Sequence, residues 1–168
     1  MKVAVVVGHH KLSKGAKSPY LGSEWDVMSK VAKGLKCDVL FHNPDLRGYT
    51  ARQKAMAKRT KHYEYVFELH FNAATPQANG CEALYWFSNR QGKKIAKRFC
   101  DLCEDVFDYR NRGAKPLHSK NQRGYGFLAY THGTAIILEP FFGSNQKDAL
   151  KFDYEKYTNL LNNLISTL

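Results

Sequence analysis

An α/β fold, with a twisted, mostly parallel sheet and helices on both faces, is the class this sequence predicts. Three observations predict it. Strand-like and helix-like patterns alternate along the chain, the signature of a parallel sheet wrapped by helices. Lys2 to Val7 and Thr134 to Leu138 are apolar almost without a break, as in strands buried on both faces. The 168 residues suffice for one domain with a real core, with no repeat, linker or low-complexity stretch, so residues 1–168 read as a single domain.

The elements follow in order. Lys2 to Val7 is the first strand, and Lys11 to Gly22, rich in Gly, Ser, Pro and Lys, is a loop. Ser23 and Asp26 have capping-box spacing, and Met28, Val31, Ala32 and Leu35 give the helix behind them one apolar face. Val39 to Phe41 is a short strand, broken by Asn43-Pro44-Asp45. Thr50 and Gln53 form a second capping pair, opening a basic helix that runs to about Lys61. Tyr65 to Phe71 and Glu82 to Phe87 are strands. Ile95, Phe99, Leu102 and Val106 mark a helix of about four turns. Tyr109 to Arg123 is polar and basic and reads as loop, while Phe127 to Tyr130 reads as a short strand. After the strand Thr134 to Leu138, Asn145 and Asp148 open a last helix with Leu150, Tyr154, Tyr157, Leu161 and Leu164 on its apolar face.

Composition narrows the function classes. At 43% hydrophobic and 24% charged, the chain is globular and not disordered. Its formal charge of +11 suits an anionic partner: nucleic acid, lipid headgroups or anionic wall polymer. The apolar run Val3 to Val7 is too short for a membrane span or a secretory signal, so synthesis in a cytoplasm without a signal peptide is expected. Four unevenly spaced cysteines do not make a disulfide framework. No base-stacking signature or zinc-finger spacing supports specific nucleic-acid binding. A monomer is expected.

In open α/β sheets, ligands sit beyond the carboxyl ends of the strands. His9 and His10 follow the first strand, Glu24 begins the first helix, His70 ends the third strand with Asn72 just after it, and Glu139 ends a later one. Histidines and glutamates thus come to one rim from four distant places. A catalytic zinc commonly takes two His and one carboxylate and keeps a position open for water. A second, unbound carboxylate can then move protons. His9, Glu24 and His70 can be the ligands, and Glu139 the base. Each residue also has an ordinary reading: a hydrogen-bonded rim histidine, a carboxylate at a helix dipole, a solvated loop acid. Only their convergence favours a metal.

Several segments carry a resemblance. Val6-Val7-Gly8-His9, Gly22-Ser23-Glu24, Glu68-Leu69-His70-Phe71-Asn72-Ala73, Gly80-Cys81-Glu82-Ala83-Leu84-Tyr85-Trp86, Arg112-Gly113-Ala114-Lys115 and Ile137 through Asn145 come in the order found in the zinc-dependent N-acetylmuramoyl-L-alanine amidases of the "amidase 3" type. The chain resembles that family over nearly its whole length. The resemblance implies Zn2+ held by His9, Glu24 and His70, with Glu139 as catalytic glutamate. It also implies peptidoglycan as substrate, cleaved between N-acetylmuramic acid and L-alanine. A compact amidase of this type, made without an export signal, is similar to phage endolysins acting on the host cell wall. The chain departs from the family pattern at three places. Val6-Val7 stands where Asp-Pro is usual, His10 where Gly is frequent, and Glu68 where Ser is frequent. His10 is a rival to His9, which keeps the Gly-His step. Glu68 shares a strand face with His70 and belongs near the metal or under a helix.

Other candidates weigh less. Cys100-x-x-Cys103 lies in a helical pattern and reads as core or helix-surface cysteine. His118 and His132 fit loops better than a pocket edge. Arg52, Lys54, Lys58, Arg59 and Lys61 fit a solvated helix face, or a patch that docks anionic wall material.

Overall fold

The computed structural model describes residues 1–168. Six strands form the central sheet: β1 (Val3–Val7), β4 (Asp38–Phe41), β5 (Tyr65–Leu69), β6 (Cys81–Trp86), β7 (Asn111–Leu117) and β8 (Thr134–Glu139), in spatial order β4-β1-β5-β8-β6-β7. A small antiparallel ribbon, β2 (Lys17–Ser18) with β3 (Gly22–Ser23), stands apart. Strands β4, β1, β5 and β8 run parallel, whereas β6 is antiparallel to β8 and parallel to β7. The predicted α/β class is the observed one.

Period-two alternation splits the sheet between two cores. Val3, Val5 and Val7 enter a cluster with Phe67, Leu69, Ile136 and Leu138, covered by α1 (Glu24–Ala32), α3 (Arg90–Phe107) and α6 (Tyr154–Ser166). Ala4 and Val6 point the other way, with Val66, Ala135 and Ile137, under α2 (Tyr49–Thr60) and α4 (Tyr125–Tyr130). All five β1 residues are buried, which explains their unbroken apolar run. Each buried valine contributes about 1.5–3 kcal/mol of transfer free energy.

Helix starts follow the capping rule in most places. Ser23 caps α1 by accepting from the Asp26 amide, and Asn145 caps α5 (Gln146–Lys151) by accepting from the Asp148 amide. The Thr50–Gln53 pair does not cap α2. That helix starts after Gly48, at φ 84°, without a side-chain cap, and Gln53 turns inward instead. The predicted last helix is two: Phe152 is extended, and Asp153 caps α6 anew by accepting from Lys156. Leu150 is therefore 70% exposed and off the apolar face. Val106, likewise, is exposed at the end of α3.

Two further readings are corrected. Phe127 to Tyr130 is not a strand but the body of α4, with Phe127 and Leu128 packed on the sheet. The supposed loop from Tyr109 to Arg123 contains β7, an edge strand, where Pro116 can sit without breaking a central ladder.

Candidate metal centre and catalytic cavity

Because β1, β5 and β8 are adjacent and parallel, the residues that follow them meet at one rim. His9 comes one residue after Gly8, whose amide bonds to the Leu69 carbonyl, and it takes a left-handed backbone at φ 64°. For a residue with a Cβ, that conformation is costly and is held only by its surroundings. Gly8 has to be glycine: a Cβ there would run into the His70 ring. Gly15, at φ 77°, lets the loop pass against the same group, since its Cβ would lie 2.5 Å from His9 Nε2 and 2.6 Å from Glu24 Oε2.

Glu24 is the first residue of α1 and only 3% exposed. Its Oε2 lies 2.9 Å from His9 Nε2, and its Oε1 lies 2.6 Å from His70 Nδ1. The Ala16 and Phe71 amides also donate to this carboxylate, which fixes it from two loops. Burial works against its ionisation, but the hydrogen bonds from His70 and His9 outweigh burial and hold its carboxyl at about 2. Ring and carboxylate atoms of His9, Glu24 and His70 lie within 4.8 Å of one another, close enough to bind one ion. The set fits a metal such as zinc, which takes imidazole nitrogen and carboxylate oxygen. His10 is not in this group. Its ring is buried, with Nδ1 unpartnered, and burial together with Arg52, His42 and His9 keeps its pKa below the usual value.

His70 is gripped on both sides. Beyond Glu24, its Nε2 lies 3.0 Å from Glu68 Oε2. Burial would drive its proton off, but the two carboxylates dominate and raise its pKa well above the usual value. Glu68, also 3% exposed, is held below the usual carboxylate range against its burial, by His42 and His70.

Glu139 closes β8 and faces the same cavity as His9 and His70. Burial pushes its carboxyl up to about 7, with Glu82 and Glu24 adding to the rise and His70 and Arg123 opposing it. Glu82 stands directly opposite Glu139 in the antiparallel β6–β8 pair. It accepts from Asn72 Nδ2 and from Arg112 Nε, each at 2.7 Å, and Arg112 lies against the Phe142 ring. The loops after β5 and β8 are zipped together by the Asn72 amide on the Phe141 carbonyl and the Gly143 amide on the Asn72 carbonyl. Such bonds set Glu139 relative to His70.

The cavity beside these groups has a volume of about 670 Å3, and its outer wall comes from α2, residues 120–124 and α4. Arg52, Lys120 and Arg123 give that wall positive charge, and Tyr49, Tyr125 and Tyr130 give it aromatic surface. His118 and His132 are exposed and lie outside it. Cys100 and Cys103 are fully buried in the core with Cys81, all three as free thiols.

Sequence reasoning missed His42, Gln53, Glu82 and Arg123. His42 follows β4, so the same strand-end rule would have found it. Glu82 begins its strand rather than ending it, and reaches the rim only because β6 runs antiparallel.

The N-acetylmuramoyl-L-alanine amidase family model matches residues 3–167. No curated protein matches the chain. Among solved structures, it is similar to the catalytic domain of the CD27L endolysin targeting Clostridium difficile. That pair has 26% identity and a TM-score of 0.82, over 99% of this chain and 97% of the other. The fold is also that of the CwlD amidase from Clostridioides difficile, at 18% identity and a TM-score of 0.77, covering 99% and 98% of the two chains. The catalytic domain of the CwlV amidase from Paenibacillus polymyxa shares it too, at 20% identity and a TM-score of 0.71, covering 99% and 97%. With the family model spanning nearly every residue, the chain belongs to the N-acetylmuramoyl-L-alanine amidase family.

Proposed function

We propose that the protein is a zinc-dependent amidase that cleaves the bond between N-acetylmuramic acid and L-alanine in peptidoglycan. The observation that carries this reading is the gathering of His9, Glu24 and His70 within 4.8 Å, in a cavity shared with Glu139. His9 Nε2, His70 Nδ1 and a Glu24 oxygen would hold the ion. Zinc, when bound, polarises the scissile carbonyl and makes water acidic enough to attack it.

Glu139 does the proton work. As a carboxylate it takes the proton of the attacking water, and as the acid it passes that proton to the alanine nitrogen as the amide breaks. Its pKa of about 7 suits both halves of that cycle. The basic wall of Arg52, Lys120 and Arg123 suits the carboxylates of a stem peptide. Likeness to an endolysin catalytic domain over nearly the full length of both chains supports a role in host cell lysis.

Two variants test the assignment together. Glu139→Gln keeps its full zinc content and loses about 10²–10⁴-fold in turnover. His70→Ala loses the zinc itself, read by elemental analysis of the purified protein. An active Glu139→Gln, or a His70→Ala that retains one zinc per chain, removes that residue from its role.

A further inference from the structure

Glu68 is out of place by the rules of its own strand. β5 reads Tyr-Val-Phe-Glu-Leu, lies between β1 and β8, and pairs Glu68 with Val6 on one side and Ile137 on the other. Both neighbours belong to the second apolar core. A carboxylate in such a position costs several kcal/mol in desolvation unless its oxygens are paired. Here they are. Oε1 lies 2.9 Å from His42 Nε2 and 3.4 Å from Gln53 Nε2, and Oε2 lies 3.0 Å from His70 Nε2. His42 and Gln53 are themselves 6% and 5% exposed, so the network is built into the interior.

The pairing decides which His70 nitrogen can serve a metal. An imidazole that ligates through one nitrogen must carry its proton on the other, and an acceptor there fixes tautomer and ring plane. With Nε2–H committed to Glu68, the nitrogen left to exchange its proton for an ion is Nδ1, 2.6 Å from Glu24 Oε1. Gly8 packs against Cε1 and Nε2 of the ring, where any Cβ would collide. We propose that Glu68, steadied by His42 and Gln53, is a positioning residue for the metal centre, holding His70 in the Nδ1-ligating tautomer. The proposal rests on the metal reading of His9, Glu24 and His70. It deepens that reading by extending the site through the sheet to β4 and α2, to residues that do not touch the ion.

The test reads metal affinity. Metal-free protein is titrated with zinc against a chromophoric chelator, and the melting temperature of each metal-free variant is measured alongside. Glu68→Ala weakens zinc binding about 10–100-fold. Glu68→Gln keeps an acceptor for Nε2–H without the charge, and recovers part of the loss. His42→Phe, which strips one partner from Glu68, gives a smaller loss of several-fold. If Glu68→Ala does not fold without metal, Glu68→Leu, which fills the apolar site but offers no acceptor, carries the comparison, and affinity equal to wild type overturns the proposal. Affinity equal to wild type in Glu68→Ala, with only a lower melting temperature, likewise overturns it and leaves a purely structural ion pair. The underlying reading fails differently: wild type and His70→Ala would then bind zinc equally, or neither would bind it.

Discussion

Glu139 shows how much one residue owes to its neighbours. A solvated carboxylate would titrate near 4.5, but burial, Glu82 and Glu24 bring this one to about 7. In the proposed role of base it works only when ionised, so kcat/KM on a soluble muropeptide falls on the acid side. A bound cation lowers the pKa of that limb, which therefore lies at or below pH ~7. Glu82→Gln removes the like charge across the strand pair and frees Arg112, and both changes favour the Glu139 carboxylate. The acid limb of the pH–rate profile therefore moves down, and a limb that stays or moves up contradicts the assignment. His70 gives a pH dependence of the same sign. Its pKa is raised in the metal-free protein, so zinc bound as proposed would displace a proton, and apparent zinc affinity would rise with pH until that folded-state pKa is passed. A competition titration between pH 6 and 8 checks this, and a flat profile contradicts it. At this scale the sequence was informative wherever a polar residue ended or closely followed a parallel strand, as Glu139, His70 and His9 do. It was silent on Glu82, whose position depends on strand direction, and it left the partners of Glu68 open because His42 and Gln53 lie on other elements.

Helices and strands separate residues that look alike in the sequence. The sequence pattern puts Leu150 and Leu161 on one apolar face, but the break at Phe152–Asp153 leaves Leu150 in solvent and Leu161 in the core. Leu161→Ala costs about 2–5 kcal/mol in the unfolding free energy, whereas Leu150→Ala stays within about 0.5 kcal/mol. Denaturant titration of both variants decides it, and equal costs would mean a continuous helix. Asp148 looked like half of a cap. It also accepts from the Gly80 and Phe142 amides, tying the start of β6 to the loop after β8. Those partners are 68 and 6 residues away, beyond any local pattern. The α2 start shows the reverse, because capping spacing at Thr50 and Gln53 yields to tertiary demand. Gln53 is needed beside Glu68 and cannot also fold back on its own helix.

The whole molecule follows from its two buried parallel strands. β1 and β8 read plainly in the sequence because both of their faces are covered, and the class of fold followed from them. β7 did not, since an edge strand carrying Gly113 and Pro116 has little apolar pattern to read. The charge of +11 is spread over exposed residues such as Lys54, Lys58, Arg59 and Lys61, and no helix is long and apolar enough to cross a membrane. Association with anionic wall polymer through such residues weakens as salt is raised from 0.05 to 0.5 M, in a sedimentation assay with purified walls, because exposed charges are screened. Binding that ignores salt would place the contact elsewhere.

The central claim is a metal-dependent cut at one bond. Mass spectrometry of purified peptidoglycan digested with the protein, with and without a zinc chelator, tests it most directly. A zinc-dependent amidase releases stem peptides with a free L-alanine amine, absent under chelation and restored by added zinc. Peptidoglycan left intact in both samples, or the same peptides released under full chelation, would contradict it.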